Sequence, residues 1–154
     1  MSSTEPDEQI FYNSIYRHGV DDKRRVQIPA KWRPKVPDIK LTLILWRNGA
    51  QQEPCLLALP PHLAQAMTAK LMGMPFGDPK AESLRRLLGV NSDRVTMDSA
   101  GRICLPEVLA DAAGITKEAV MVGMFDRFQI WAPERYAATA VVDQALSGEA
   151  YNLI

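Results

Sequence analysis

The sequence predicts an α+β chain, mainly β, built from two copies of one β-rich unit with a helical segment between them. The first observation is a repeated nine-residue pattern. Residues 21–29 read D-D-K-R-R-V-Q-I-P and residues 98–106 read D-S-A-G-R-I-C-L-P, with Asp21, Arg25, Val26, Ile28 and Pro29 matched by Asp98, Arg102, Ile103, Leu105 and Pro106 at one offset of 77. The second is a shared block after each copy, L-A-L-P-P-H-L around Pro61 and Q-I-W-A-P-E-R around Pro133, at an offset of 72. The difference falls in R-N-G-A-Q-Q-E-P, turn chemistry that lengthens a hairpin without disturbing its strands. The third is a pair of apolar stripes at helical spacing between the copies, Leu63, Met67 and Leu71 and then Leu84, Leu87 and Leu88.

The boundaries that follow are a disordered tail at 1–13, a first repeat at 14–61, a helical connector at 62–92, a second repeat at 93–136 and a C-terminal helix or tail at 137–154. Residues 1–9 lack apolar content, which leaves nothing to bury. In the first repeat a strand is expected near 14–17, then a turn at 21–24 and a strand at 25–28 that Pro29 ends. A short helix A-K-W-R stopped by Pro34 comes next, then strands at 41–46 and 55–59 joined by an Asn48-Gly49 loop. In the connector, Leu63, Met67 and Leu71 recur every four residues until Gly73 and Pro75, one apolar helix face. A second helix opens with Asp78 as cap and Pro79 in its first turn, carries Leu84, Leu87 and Leu88, and closes at Gly89, so the connector is an α-hairpin.

The second repeat follows the same plan. Strands are expected at 94–97 and 102–105 around a turn at 98–101, then a helix at 106–113 closed by Gly114, then a hairpin of strands at 119–124 and 128–131. Beyond Pro133 the chain is Ala-rich and suits a short terminal helix with Tyr136, Val141 and Leu146.

Charge narrows the function classes. Eighteen basic and eighteen acidic side chains cancel, so no global field draws nucleic acid or an anionic membrane, and such a partner must be met by a local patch. Between Arg17 and Lys35 seven basic residues stand against two acidic ones, a net of +5, whereas Arg94 to Asp111 carries two against three, a net of −1. Cys55 and Cys104 have no C-x-x-C frame and no nearby His pair, which argues against zinc and for a reducing compartment. The start M-S-S-T-E-P-D-E-Q is acidic and polar, unlike a signal peptide, and no apolar stretch approaches a membrane span.

Alternation along the first motif strand sends Val26 and Ile28 to one face and Lys23, Arg25 and Gln27 to the other; in the second copy Ile103 and Leu105 point inward and Arg102 and Cys104 outward. A cationic strand face suits DNA, since Arg binds guanine bidentately, Gln does the same for adenine and Lys takes phosphates. The same residues also fit a plain structural turn. An Asp four residues before an Arg can accept backbone N–H groups and pair with the guanidinium, and for Arg102 that reading is preferred. His18 and His62 have no partner at catalytic or metal-binding spacing, and a solvated role is expected for both. No phosphate-cradling glycine run, nucleophile elbow or carboxylate pair appears, so neither an enzyme nor a bound cofactor is expected. Trp32, Trp46 and Trp131 lie on separate elements and read as core and interface anchors.

Two units of D-x-K-x-R-V-x-I-P type, separated by a helical connector and each followed by a hairpin, with the later phrases A-V-M-V-G-M-F-D-R-F-Q-I-W and L-A-D-A-A-G-I, resemble the MraZ family, bacterial transcriptional regulators with two SpoVT-AbrB domains. The resemblance covers about residues 14 to 136. It implies a pseudo-dimeric double-split β-barrel whose repeats interlock, ring-shaped homo-oligomers, and binding of double-stranded DNA at promoter direct repeats that represses a division and cell-wall gene cluster. It implies a cytoplasmic, nucleoid-associated protein with no small-molecule substrate and no membrane partner. The family's DNA-contacting positions fall on Lys23 and Arg25, with Arg24 and Gln27 beside them and Asp98 and Arg102 as a secondary motif. Arg24 stands where the family usually has Gly, and the second copy keeps Gly101. If that position needs positive φ, Arg there costs roughly 1 kcal/mol, which a phosphate contact would offset. An antitoxin-like oligomeric interaction module with residual DNA binding is the alternative.

Overall fold

The computed structural model describes residues 9–47 and 53–154. The acidic start and the Asn48-Gly49 loop therefore lie outside the described residues. In chain order the elements are β1 (Ile15–Gly19), β2 (Arg25–Gln27), a 3-10 turn (Ala30–Trp32), β3 (Lys40–Trp46), β4 (Cys55–Leu59), α1 (Pro61–Met72), α2 (Pro79–Val90), β5 (Ser92–Thr96), β6 (Arg102–Cys104), α3 (Glu107–Ala112), β7 (Glu118–Gly123), β8 (Phe128–Trp131) and α4 (Pro133–Tyr151).

Six strands form one antiparallel sheet in the order β1-β7-β8-β4-β3-β5, and β2 and β6 form a separate two-stranded ribbon. Every strand of one repeat finds a partner in the other: β1 on β7, β2 on β6, β3 on β5 and β4 on β8. The order reads the same from either end once repeats are exchanged, which is the signature of a pseudo-twofold axis. The registers locate it. Val26 faces Ile103 in the ribbon, and Leu57 faces Gln129 in the sheet with Leu56 on Ile130 and Ala58 on Phe128. These are the residues that the 77 and 72 offsets equate, so the axis passes through both pairs. The double-split barrel implied by the resemblance is met only as far as two interlocked halves. Backbone hydrogen bonds leave β1 and β5 as sheet edges, and no closed barrel forms among the described residues.

Period-two alternation explains how the layers pack. Leu41, Leu43, Leu56, Ala58, Ala119, Met121, Phe128 and Ile130 point to one face of the sheet and form the main core with Val26, Ile28, Ile103 and Leu105 from the ribbon and Leu109 and Ala110 from α3. On the opposite face Ile44, Leu57 and Leu59 meet Leu63, Ala64 and Met67 of α1 and Leu88 of α2, while Cys55, Val120 and Trp131 meet Tyr136 of α4. With both faces covered, β4 is buried along its whole length, as its unbroken apolar run requires.

Trp32 and Trp131 are buried and Trp46 is half-buried. Trp32 packs in an aromatic group with Tyr12, Tyr16 and Phe128 at ring distances of 4.9–5.6 Å.

Several elements depart from expectation for identifiable reasons. Tyr12, assigned to the tail at 1–13, is buried, and its backbone N–H and C=O bond to Phe125 at 2.8 Å each way. Burial also pushes its hydroxyl pKa up to about 12. The first strand starts one residue later than expected because Ser14 takes φ 76°. In α2 the capping by Asp78, which accepts from the Lys80 N–H at 2.9 Å, is as read from sequence. The helix runs past Gly89 to Val90, where the Asn91 amide donates to the Leu87 carbonyl. Of Leu84, Leu87 and Leu88 only Leu88 joins a core, and Leu87 stays 60% exposed. The terminal helix is not short: α4 continues through Ser147 to Tyr151.

Candidate nucleic-acid interface

The two motifs meet in the ribbon. Alternation buries Val26 and Ile103 beneath it and turns Arg25, Gln27, Arg102 and Cys104 outward, the division expected from sequence. Each strand is preceded by a tight turn ordered by its own aspartate. Asp21 Oδ1 accepts the backbone N–H of Lys23 at 3.0 Å and of Arg25 at 2.8 Å, and Oδ2 accepts Arg25 Nε at 2.7 Å. Asp98 repeats every contact, with Ala100 and Arg102 N–H at 2.9 Å and Arg102 Nε at 3.0 Å. The turn reading of Asp-x-x-x-Arg is therefore correct for both copies. The Arg25 backbone N–H and then its guanidinium hold the Asp21 carboxyl below the usual range, and the Arg102 backbone N–H does the same first for Asp98.

This arrangement orients the arginines as well as pairing them. The carboxylate takes Nε, each arginine side chain is about a third exposed, and a guanidinium held this way keeps its two Nη groups for bidentate recognition.

Cross-strand bonds tie the outward face together. The Gln27 amide donates to the Ala100 carbonyl at 2.7 Å, and at the matched place the Cys104 thiol donates to the Lys23 carbonyl at 3.2 Å. Gln27 is thus partly committed within the protein through its amide nitrogen. Lys23 is fully on the surface. Arg24 adopts φ 60° and Gly101, its match, φ 82°, so the turn keeps its left-handed residue in both copies. The Arg24 Nε donates to the Leu105 carbonyl of the other repeat at 2.9 Å. That bond is the compensation for strain which sequence alone did not reveal.

Other sequence candidates sit elsewhere. Arg17, counted in the basic stretch, lies on the sheet edge and pairs with Glu118 at 2.9 Å, which raises its pKa and lowers that of Glu118. His62 is exposed, in line with the solvated role expected of it, but His18 is half-buried and stacks on Tyr16, contrary to that role. Arg33 is one of the cations of the basic stretch from Arg17 to Lys35, a neighbour of Lys23 able to take a phosphate. Its Nε donates to the Ile28 carbonyl at 2.9 Å, and its guanidinium lies where a side chain on Gly101 would be. Among the described residues no group of three or more His, Cys, Asp or Glu could hold a metal, and no helix is long and apolar enough to cross a membrane.

A relative from Herpetosiphon aurantiacus named "Transcriptional regulator MraZ" is 36% identical over 121 residues, covering 79% of this chain and 80% of the relative. The chain belongs to the MraZ family. Relatives of the same name from Thermomicrobium roseum and Caulobacter vibrioides are 34% identical over 125 residues and 32% over 139, covering 81% and 90% of this chain and 84% and 88% of theirs. A family model described as "MraZ protein, putative antitoxin-like" matches residues 90–150, the stretch holding the second motif and most of α4. The relatives' shared name makes this chain a member of a family of transcriptional regulators.

Proposed function

We propose that this protein binds double-stranded DNA sequence-specifically through the outward face of the β2–β6 ribbon and so regulates transcription. The observation that carries the reading is the pair of guanidiniums, Arg25 and Arg102, each held by an aspartate that two backbone N–H groups fix in turn, on a two-stranded ribbon. A two-stranded β-ribbon fits the major groove, and fixed arginine planes are the commonest readers of guanine there. Lys23, Arg24, Arg25 and Gln27 form the principal contact set, and Asp98 and Arg102 the secondary motif.

In this reading the interlocked sheet and ribbon form a pseudo-dimeric double-split barrel, and the protomers assemble into a ring that engages promoter direct repeats and represses a division and cell-wall gene cluster. Apolar side chains left exposed on α2 and α4, among them Leu87, Val90, Val141 and Leu146, support assembly of copies. One ribbon supplies too few phosphate contacts for tight binding at physiological salt, whereas several on one ring gain by effective concentration.

Anisotropy with a duplex from the gene's own upstream region tests the reading. Arg25→Ala should weaken specific binding by about 1–3 kcal/mol per engaged protomer. Arg102→Ala should do less, because Ala100 and Gly101 stand beside it where Arg25 has the cations Lys23 and Arg24. Equal affinity of wild type and Arg25→Ala sinks the ribbon reading and favours the antitoxin-like interaction module.

A further inference from the structure

The two ends of the ribbon carry the same chemical group, delivered from unlike places. Hydrogen bonds from the Leu105 N–H to the Arg24 carbonyl and from the Ile28 N–H to the Gly101 carbonyl, each 2.8 Å, extend the ladder by one residue pair at both ends. At one end the Arg24 guanidinium bonds the Leu105 carbonyl, and at the other the Arg33 guanidinium bonds the Ile28 carbonyl. Ile28 and Leu105 are matched by the 77-residue repeat, so the two guanidiniums stand at matched points about the pseudo-twofold axis. The arginines themselves are not matched. The residue 77 positions after Arg24 is Gly101, and that after Arg33 is Ala110. A β-carbon on Gly101 would come within 2.4 Å of Arg33 Nε, so Arg33 occupies the space of the side chain Gly101 lacks.

We propose that Arg33 contacts the DNA backbone as the counterpart of Arg24, so that each protomer holds a phosphate at both ends of its ribbon. This rests on the ribbon reading above. Both arginines are half-buried with Nε fixed, and neither is in an ion pair among the described residues. Their charge is therefore not neutralised by an aspartate, unlike that of Arg25 and Arg102. Five residue pairs span four steps, about 14 Å at roughly 3.4 Å each. The major groove is about 12 Å wide, so a ribbon seated in it sets its end cations against the two flanking backbones. Such contacts fix position and carry no sequence information. The division of labour is then end cations for grip and central arginines for reading.

The test uses Arg24→Gln and Arg33→Gln in the full chain, since glutamine keeps an amide donor for the carbonyl and removes the charge. Anisotropy is measured across a range of salt with the upstream duplex and with a scrambled duplex. Each variant should lose about eightfold in affinity at about 0.1 M salt on both duplexes, and the slope of log K against log salt should become shallower by about 0.9 per protomer engaged. Arg33→Lys should recover most of the slope.

Wild-type affinity and slope in Arg33→Gln, with Arg24→Gln impaired, overturns the role of Arg33 and leaves the ribbon reading standing. Loss in Arg33→Gln that Arg33→Lys fails to recover identifies a structural prop and also overturns it. If the wild type shows no salt-dependent binding to either duplex, the ribbon reading itself fails and this inference goes with it.

Discussion

Alanine at position 101 should destabilise the fold by about 2 kcal/mol, from two separable sources. Gly101 has φ 82°, and a β-carbon there costs about 1 kcal/mol or slightly more. That carbon would also fall within 2.5 Å of Arg33 Cζ. The clash itself is cheap, because the guanidinium is the far end of a flexible chain, but moving it breaks the 2.9 Å bond to the Ile28 carbonyl. A charged donor bond is worth roughly 1.5–3 kcal/mol when buried, and half-exposure reduces this one to about 1 kcal/mol. In an Arg33→Ala background the second source is already gone, so Gly101→Ala should then cost only the backbone share. The double-mutant cycle should give a coupling of about 1 kcal/mol. Urea unfolding reads this directly, and for a chain of this size each kcal/mol moves the thermal midpoint by about 2–4 °C. Strictly additive costs would refute the account, since Arg33 would not then depend on the empty space at 101.

At the other end of the ribbon the balance is reversed: Arg24→Gly removes strain of about 1 kcal/mol and loses a bond of similar worth, so its unfolding free energy from urea titration should stay within about 0.5 kcal/mol of wild type. Ile103→Ala empties a fully buried site beneath the ribbon and should cost about 2–5 kcal/mol in the same assay. Asp21 and Asp98 have lowered pKa values when folded, so they stabilise the protein above the ordinary carboxylate pKa of about 4 and lose that contribution as pH falls through the lowered values. Asp21→Asn should therefore destabilise at neutral pH and flatten the acid limb of a stability titration. Native protein should take up one equivalent of a thiol reagent, at Cys104, with Cys55 reacting only on unfolding; labelling should weaken DNA binding, because Cys104 is on the ribbon's outward face.

The repeat was legible because both copies keep the residues that geometry constrains: an aspartate to order the turn, alternating apolar residues for the core, and a proline to end the strand. Val26, Ile28, Ile103 and Leu105 could be assigned inward from alternation alone, and all four are fully buried. The partnering of strands was not legible from the residues, since period-two patterns fix faces but not neighbours, and the interlock came only from the resemblance. The role of Arg24 was half legible. Positive φ could be suspected from Gly101, but the bond to Leu105 joins residues 81 apart and leaves no local mark. Arg33 was legible as a cation of the basic stretch, but its seat against the Ile28 carbonyl was not, being set by an absence at Gly101. The length of α4 was missed because beyond Tyr136 its large apolar residues, Val141, Val142, Leu146 and Tyr151, stay exposed, so no amphipathic stripe announces it.

The interlock also governs how the chain acquires its structure. Ile15 pairs with Val122 and Val26 with Ile103, so the first repeat leaves the ribosome with β1 and β2 unpartnered until most of the chain has been made. The β3–β4 and β7–β8 hairpins and the helices can form from nearby residues, and these should nucleate folding while the long-range pairings set its pace. During synthesis the nascent protein therefore carries open strand edges, the state in which two unfinished chains are most prone to exchange halves. Chain fusion counters that hazard by keeping the correct partner repeat tethered, at high local concentration, from the moment it emerges.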